Sequence, residues 1–137
     1  MEQPDFYLRF VYTAVGFLVA GPAFGMLMAL KRREWVLRLV PTHTHFNLLG
    51  WVNLSLCGLA YFAVFNIYGY RLYSPLLVNV HYWLAILGMV GMAAFWFGSR
   101  WPKSPIPVWG IWVFGAVQAF SSFIFVFNIV KSVSGGS

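Results

Sequence analysis

Three histidines, His43, His45 and His81, carry most of the chemistry open to this chain. A neutral imidazole is a transition-metal ligand, and histidine is also the side chain that changes charge nearest neutral pH. The acids are Glu2, Asp5 and Glu34, and each lies outside the long apolar runs. A proton relay through buried carboxylates is therefore not expected.

His43 and His45 are two residues apart. On an α-helix each residue turns by about 100°, so the two rings point roughly 200° apart. A helix that offers two ligands to one ion does so at i and i+3 or i+4. If both histidines are ligands, they serve two different sites. His81 falls about six residues into a later apolar run, at the other membrane face, and shares neither site. It reads as a hydrogen-bonding core or interface histidine, with an ion or quinone contact as the alternative.

The neighbours of the pair suit a ligand role. Thr42, Thr44 and Asn47 can hold an imidazole in one tautomer. Phe46, Leu48, Leu49 and Trp51 can form the apolar walls that a porphyrin needs. Lys31, Arg32, Arg33 and Arg38 stand next in sequence, placed to neutralise two propionates. A plainer reading stands beside this one, in which two interfacial imidazoles bond to lipid headgroups and water.

The elements that hold these residues follow from solvent. The 137 residues are 61% hydrophobic and 9% charged, against roughly a quarter charged in an ordinary soluble domain. Four apolar runs, at about residues 7–30, 42–65, 75–98 and 107–130, each reach roughly 36 Å as a helix, enough to cross a bilayer. None alternates as a barrel strand would, and backbone groups in lipid must be satisfied within the segment. The expected fold is all-α, a single transmembrane domain of four helices over residues 1–137, with short connections that make sequential helices antiparallel.

The first run follows Met1-Glu2-Gln3-Pro4-Asp5 rather than a basic head, so it reads as a retained helix and not a cleaved signal. Residues 31–40 mix charge with Trp35, Leu37 and Val40, as a segment lying in the interface does. Pro41 is expected to open the second helix. Gly21 and Gly25, and Gly88 with Gly91 and Met92, offer small surfaces for helix packing. Pro22 is expected to bend the first helix. Cys57 stands alone, so no intramolecular disulfide forms. Ser134 to Ser137 read as a flexible end. The net charge of +6 sits at helix ends, where membrane proteins place it, and implies lipid rather than nucleic acid as the partner.

Pro41-Thr42-His43-Thr44-His45-Phe46-Asn47-Leu48-Leu49-Gly50-Trp51 resembles the haem-ligand helices of the catalytic subunit of haem-copper oxidases and nitric oxide reductases. His81-Tyr82-Trp83-Leu84-Ala85-Ile86-Leu87-Gly88 resembles the helix that follows there, in the same order. The resemblance covers the second and third helices and points to a short, four-helix relative of that subunit. Its twelve helices form three arcs of four, so one such chain implies one arc and a homotrimer, closed by ring-forming interfaces. His43 of one protomer and His45 of the next would then meet in one pore.

The implied cofactor is haem b, bound by His43 and His45 with Arg33, Arg38, Asn47 and Trp51 around it. Two imidazoles make a six-coordinate iron suited to one-electron transfer with a quinol or cytochrome partner. The alternatives are a five-coordinate haem that binds or converts NO or O2, and a non-redox subunit or channel with structural histidines. The family's copper site needs three further histidines and a tyrosine that this chain does not supply, so any oxidoreductase activity would lack it. The implied location is a prokaryotic inner membrane. The positive-inside rule places Lys31, Arg32, Arg33, Arg38, Arg100 and Lys103 in the cytoplasm, whereas the resemblance places the first connection outside, so two opposite orientations follow.

Overall fold

The structure, a computed structural model, describes residues 6–30 and 33–135. Glu2, Asp5, Lys31, Arg32, Gly136 and Ser137 lie outside the described residues. Helix α1 spans Phe6–Leu30 and a single turn, α2, spans Glu34–Leu37. A second long rod follows in four pieces: α3 (Val40–His45), a π-helical stretch π1 (Phe46–Asn53), α4 (Leu54–Phe62) and a second π-helical stretch π2 (Ala63–Ile67). The last two helices are α5 (Pro75–Ser99) and α6 (Trp109–Ser134). No strand occurs among the described residues.

Among the described residues four helices are long and apolar enough to cross a membrane. Their outer surfaces agree with lipid as solvent, since Trp112 is 74% exposed and Phe123 72% exposed on α6. The chain therefore reads as an integral membrane protein. The span bounds differ in places from the apolar runs, the second running Glu34–Ile67 and the last Trp109–Ser134. The second rod starts at Val40 rather than Pro41, because a proline within the first turn removes no hydrogen bond that the helix would make. Ser134 is helical, so the flexible end expected from Ser134 onward does not include it. α1 is continuous through Pro22.

A buried cluster joins Phe6, Phe10 and Ala14 of α1, Leu54, Cys57 and Tyr61 of α4, and Val78, Tyr82 and Ala85 of α5. It occupies the end of the bundle away from His43 and His45. Here the chain turns through Gly69, whose φ of 67° is the left-handed conformation glycine adopts without strain. α5 then opens with Ser74 as N-cap, its side chain accepting from the Leu77 amide at 3.3 Å, and Pro75 in the first turn. The fully buried Asn128 of α6 clasps this start: Oδ1 accepts from the Ser74 amide and Nδ2 donates to the Ser74 carbonyl, both at 3.1 Å.

Higher up, α5 and α6 approach so closely that a Cβ added at Gly88 would lie 2.8 Å from the Gln118 backbone nitrogen. That is the helix-packing use of a small residue. Gly21 and Gly25 of α1 differ. Their missing side chains make room for Asn47 and His43, respectively, rather than for a neighbouring backbone.

Candidate functional site

His43 and His45 both lie on α3, in ordinary α geometry, immediately before π1 begins at Phe46. π-helical stretches recur at functional positions in helices.

His43 leans on α1. Its Nδ1 is 2.8 Å from the Gly21 carbonyl oxygen. The carbonyl oxygen only accepts, so toward Gly21 it is Nδ1 that donates, and the Asn47 Nδ2 lies 3.3 Å from the same ring nitrogen. The ring is half-buried, and a Cβ at Gly25 would come within 2.8 Å of its Cε1. Asn47, one turn further on, donates from Nδ2 to the His43 carbonyl at 2.8 Å and rests in the space left by Gly21.

His45 turns back along its own helix. Its Nδ1 donates to the Pro41 carbonyl oxygen at 2.5 Å. This carbonyl belongs to the residue four positions earlier, inside the same turn. The ring lines a shallow hollow of about 240 Å³ with Thr44, Leu48 and Leu49, of which Thr44 and Leu48 are exposed. The structure thus places the two imidazoles on different sides of α3, one against α1 and one at an outward-facing hollow.

In the neutral form of each ring Nδ1 then carries the proton and Nε2 the lone pair. The carbonyl partner fixes tautomer and orientation, the role that outer partners play for metal-binding histidines. The threonines expected to supply such partners do not. Thr44 donates from its hydroxyl to the Val40 carbonyl at 3.0 Å, and the Thr42 hydroxyl is buried without a partner. Backbone carbonyls are closer to each ring and need no side-chain ordering. Sequence alone gives carbonyls no identity, and Gly21 and Gly25 were read there only as surfaces for helix packing.

The other candidates are spread more widely. Arg33 is exposed and precedes α2. Arg38 is half-buried; its guanidinium lies 4.8 Å from the centre of the Trp101 ring, and its Nη1 is buried without a hydrogen-bond partner. Trp51 packs against the buried cluster of α1, α4 and α5 rather than beside His45. His81 is 1% exposed, enclosed by the rings of Phe10, Tyr61 and Phe125, with Nδ1 3.2 Å from the Tyr61 hydroxyl. Nothing brings it near the other two.

Among the described residues no three His, Cys, Asp or Glu side chains gather to hold a metal ion. What the site offers is single imidazole ligands in apolar surroundings. The residues fit a haem on two counts: two imidazoles each oriented by a backbone carbonyl, and the apolar hollow at His45.

Comparison with known proteins finds distant relatives. A cytochrome c oxidase subunit 1 homolog of Agrobacterium tumefaciens (strain T37) is 33% identical over 100 residues, covering 67% of this chain and 18% of that protein. The chain is distantly similar to cytochrome c oxidase subunit 1. The cbb3-type cytochrome c oxidase subunit CcoN1 of Stutzerimonas stutzeri is 31% identical over 103 residues, 69% of this chain and 21% of that protein. Cytochrome c oxidase subunit 1 of Rhodobacter capsulatus is 31% identical over 103 residues, 69% of this chain and 19% of that protein. The chain spans about a fifth of the length of these curated relatives. No family model and no solved structure matches it.

Proposed function

We propose that this chain is a membrane haem b protein that passes electrons between a quinol or cytochrome donor and an acceptor, with His43 and His45 as iron ligands. The observation that carries the reading is a shared arrangement: each Nδ1 faces a carbonyl of the chain itself, Gly21 or Pro41, which orients the ring and leaves Nε2 as the ligating nitrogen. The distant similarity to subunit 1 of cytochrome c oxidases supports it.

A haem held by two imidazoles supplies one-electron transfer with a closed coordination sphere. The residues of the chain do the rest. Gly25 leaves the space in which the His43 ring stands, Asn47 ties the helix turn beneath it, and Leu48 and Leu49 keep water from the His45 face. Arg38 offers a positive charge for a propionate.

Because the imidazoles lie on different sides of α3, one chain offers two half-sites. Three copies related by head-to-tail contacts would pair the half-sites around a ring, so the proposed unit is a homotrimer.

A second reading rests on an observation of its own. His43 is wedged against Gly25 of its own α1, whereas His45 opens outward. A haem held by His45 alone would be five-coordinate and open to NO or O2. Pyridine haemochrome assay of the purified protein tests for haem b, and a carbon monoxide difference spectrum separates the readings: six-coordinate iron leaves it flat, five-coordinate iron gives a Soret shift.

A further inference from the structure

Asn53 closes π1 near the middle of the second span, about 20 Å along the rod from Val40 and from Ile67. With a hydrocarbon core about 30 Å thick, that depth is the centre of the bilayer. The residue is half-buried, its amide atoms reach the surface of the chain, and among the described residues nothing hydrogen-bonds to them. Lipid tails carry no donor or acceptor, so an amide left unpaired there is costly. Asn53 follows His45 and Leu49 at four-residue steps and lies on the same side of the rod, below the hollow into which His45 opens.

A second feature lies at the same depth on α1. Phe17 fills the space beside Gly50, and Phe10 that beside Gly58, so Asn53 is level with Thr13. Thr13, Gly16, Phe17 and Ala20 line an outer hollow of about 300 Å³. Gly16 is the one glycine within a described helix whose added Cβ would meet nothing within 4 Å. The Thr13 hydroxyl stands 2.7 Å from the Tyr82 hydroxyl, and a hydroxyl engaged in one bond keeps a further acceptor site.

We infer that these two surfaces join copies of the chain head to tail, with the Asn53 amide of one protomer donating to the Thr13 hydroxyl of the next. One surface is on the rod and the other on α1, so the contact repeats around a ring rather than closing in a pair. Small residues that admit a neighbouring helix, and an amide that bonds across the interface, are what associate helices in lipid. An acyl chain fills the hollow on α1 but leaves the amide unpaired. A second copy supplies the acceptor, and it also brings a second imidazole to the side of the rod where His45 opens. The inference deepens the haem reading by naming the contact that sets the protomers in register. It rests on that reading for the choice of partner but not for the bond.

The test is disulfide trapping in membranes, in a Cys57→Ala background that removes the single native thiol. Asn53→Cys on one tagged chain and Thr13→Cys on a second, co-expressed, should cross-link under copper phenanthroline. Neither variant expressed alone should form a dimer. Asn53→Leu puts an apolar side chain at the same depth, and should keep the circular dichroism of the unsubstituted protein while light scattering in detergent falls from the oligomer mass to that of the monomer. Absence of the mixed cross-link overturns the inference, as does a cross-link between two Asn53→Cys chains. So does an oligomer unaltered by Asn53→Leu, or a chain unfolded by it, since the amide would then serve the single chain. Haem content on the same samples separates the two readings. A mixed cross-link in protein that takes up no haem refutes the haem reading and leaves the contact standing, whereas bis-histidine haem in protein that does not cross-link refutes the contact alone.

Discussion

The Nδ1–H of His43 donates to the carbonyl oxygen of Gly21 at 2.8 Å, tying the head of the second rod to the middle of α1. This bond sets the tautomer of the ring and depends on the absence of a side chain at Gly25, one turn above Gly21. The site thus belongs as much to α1 as to the helix that bears the histidines.

Gly25→Ala tests that dependence. The new methyl would lie 2.8 Å from His43 Cε1 and push the ring off the Gly21 carbonyl. A stability loss of about 1–3 kcal/mol is expected, together with reduced haem content. Thermal unfolding in detergent and haem-to-protein stoichiometry measure the two effects.

Asn47→Ala removes the bond to the His43 carbonyl and leaves both imidazoles in place. The expected cost is about 0.5–1.5 kcal/mol. Haem should still bind, in contrast to loss of either histidine.

Arg38→Met removes a half-buried cation whose Nη1 has no partner. If Arg38 pairs with a propionate of the bound haem, losing its positive charge disfavours the reduced form, which is the less positive of the two. The midpoint potential should fall, as read by potentiometric titration. An unchanged potential would place the propionates elsewhere.

Asn128→Ala, at the far end of the bundle, opens the clasp between α6 and the start of α5 by removing both bonds to Ser74. A loss of about 1–3 kcal/mol is expected, because the Ser74 amide loses its partner while its carbonyl keeps only the Val78 amide. Thermal unfolding should shift down while the absorption spectrum of the remaining folded protein stays the same.

The four spans were legible because lipid imposes one demand on every residue of a crossing helix, and 61% hydrophobic composition leaves few other solutions. The α-helical spacing of His43 and His45 was usable because both precede the π-helical stretch at Phe46. That stretch was not legible, since hydropathy carries no trace of a change in backbone register. The partners of the imidazoles were hidden for a related reason. Thr42 and Thr44 were the natural expectation by residue type, but Gly21 and Pro41 act through carbonyls that every residue possesses. Gly21 and Gly25 were visible as small residues, and only their placement opposite His43 and Asn47 distinguishes them from the packing glycine Gly88.

The central claim is that His43 and His45 both ligate haem b. The reduced-minus-oxidised absorption spectrum of protein purified from haem-replete cells tests it most directly, run on the unsubstituted chain, His43→Ala and His45→Ala. The account predicts a b-type spectrum in the first and its loss in both variants, each folded by circular dichroism. A colourless unsubstituted protein, or a spectrum unchanged by either substitution, would contradict it.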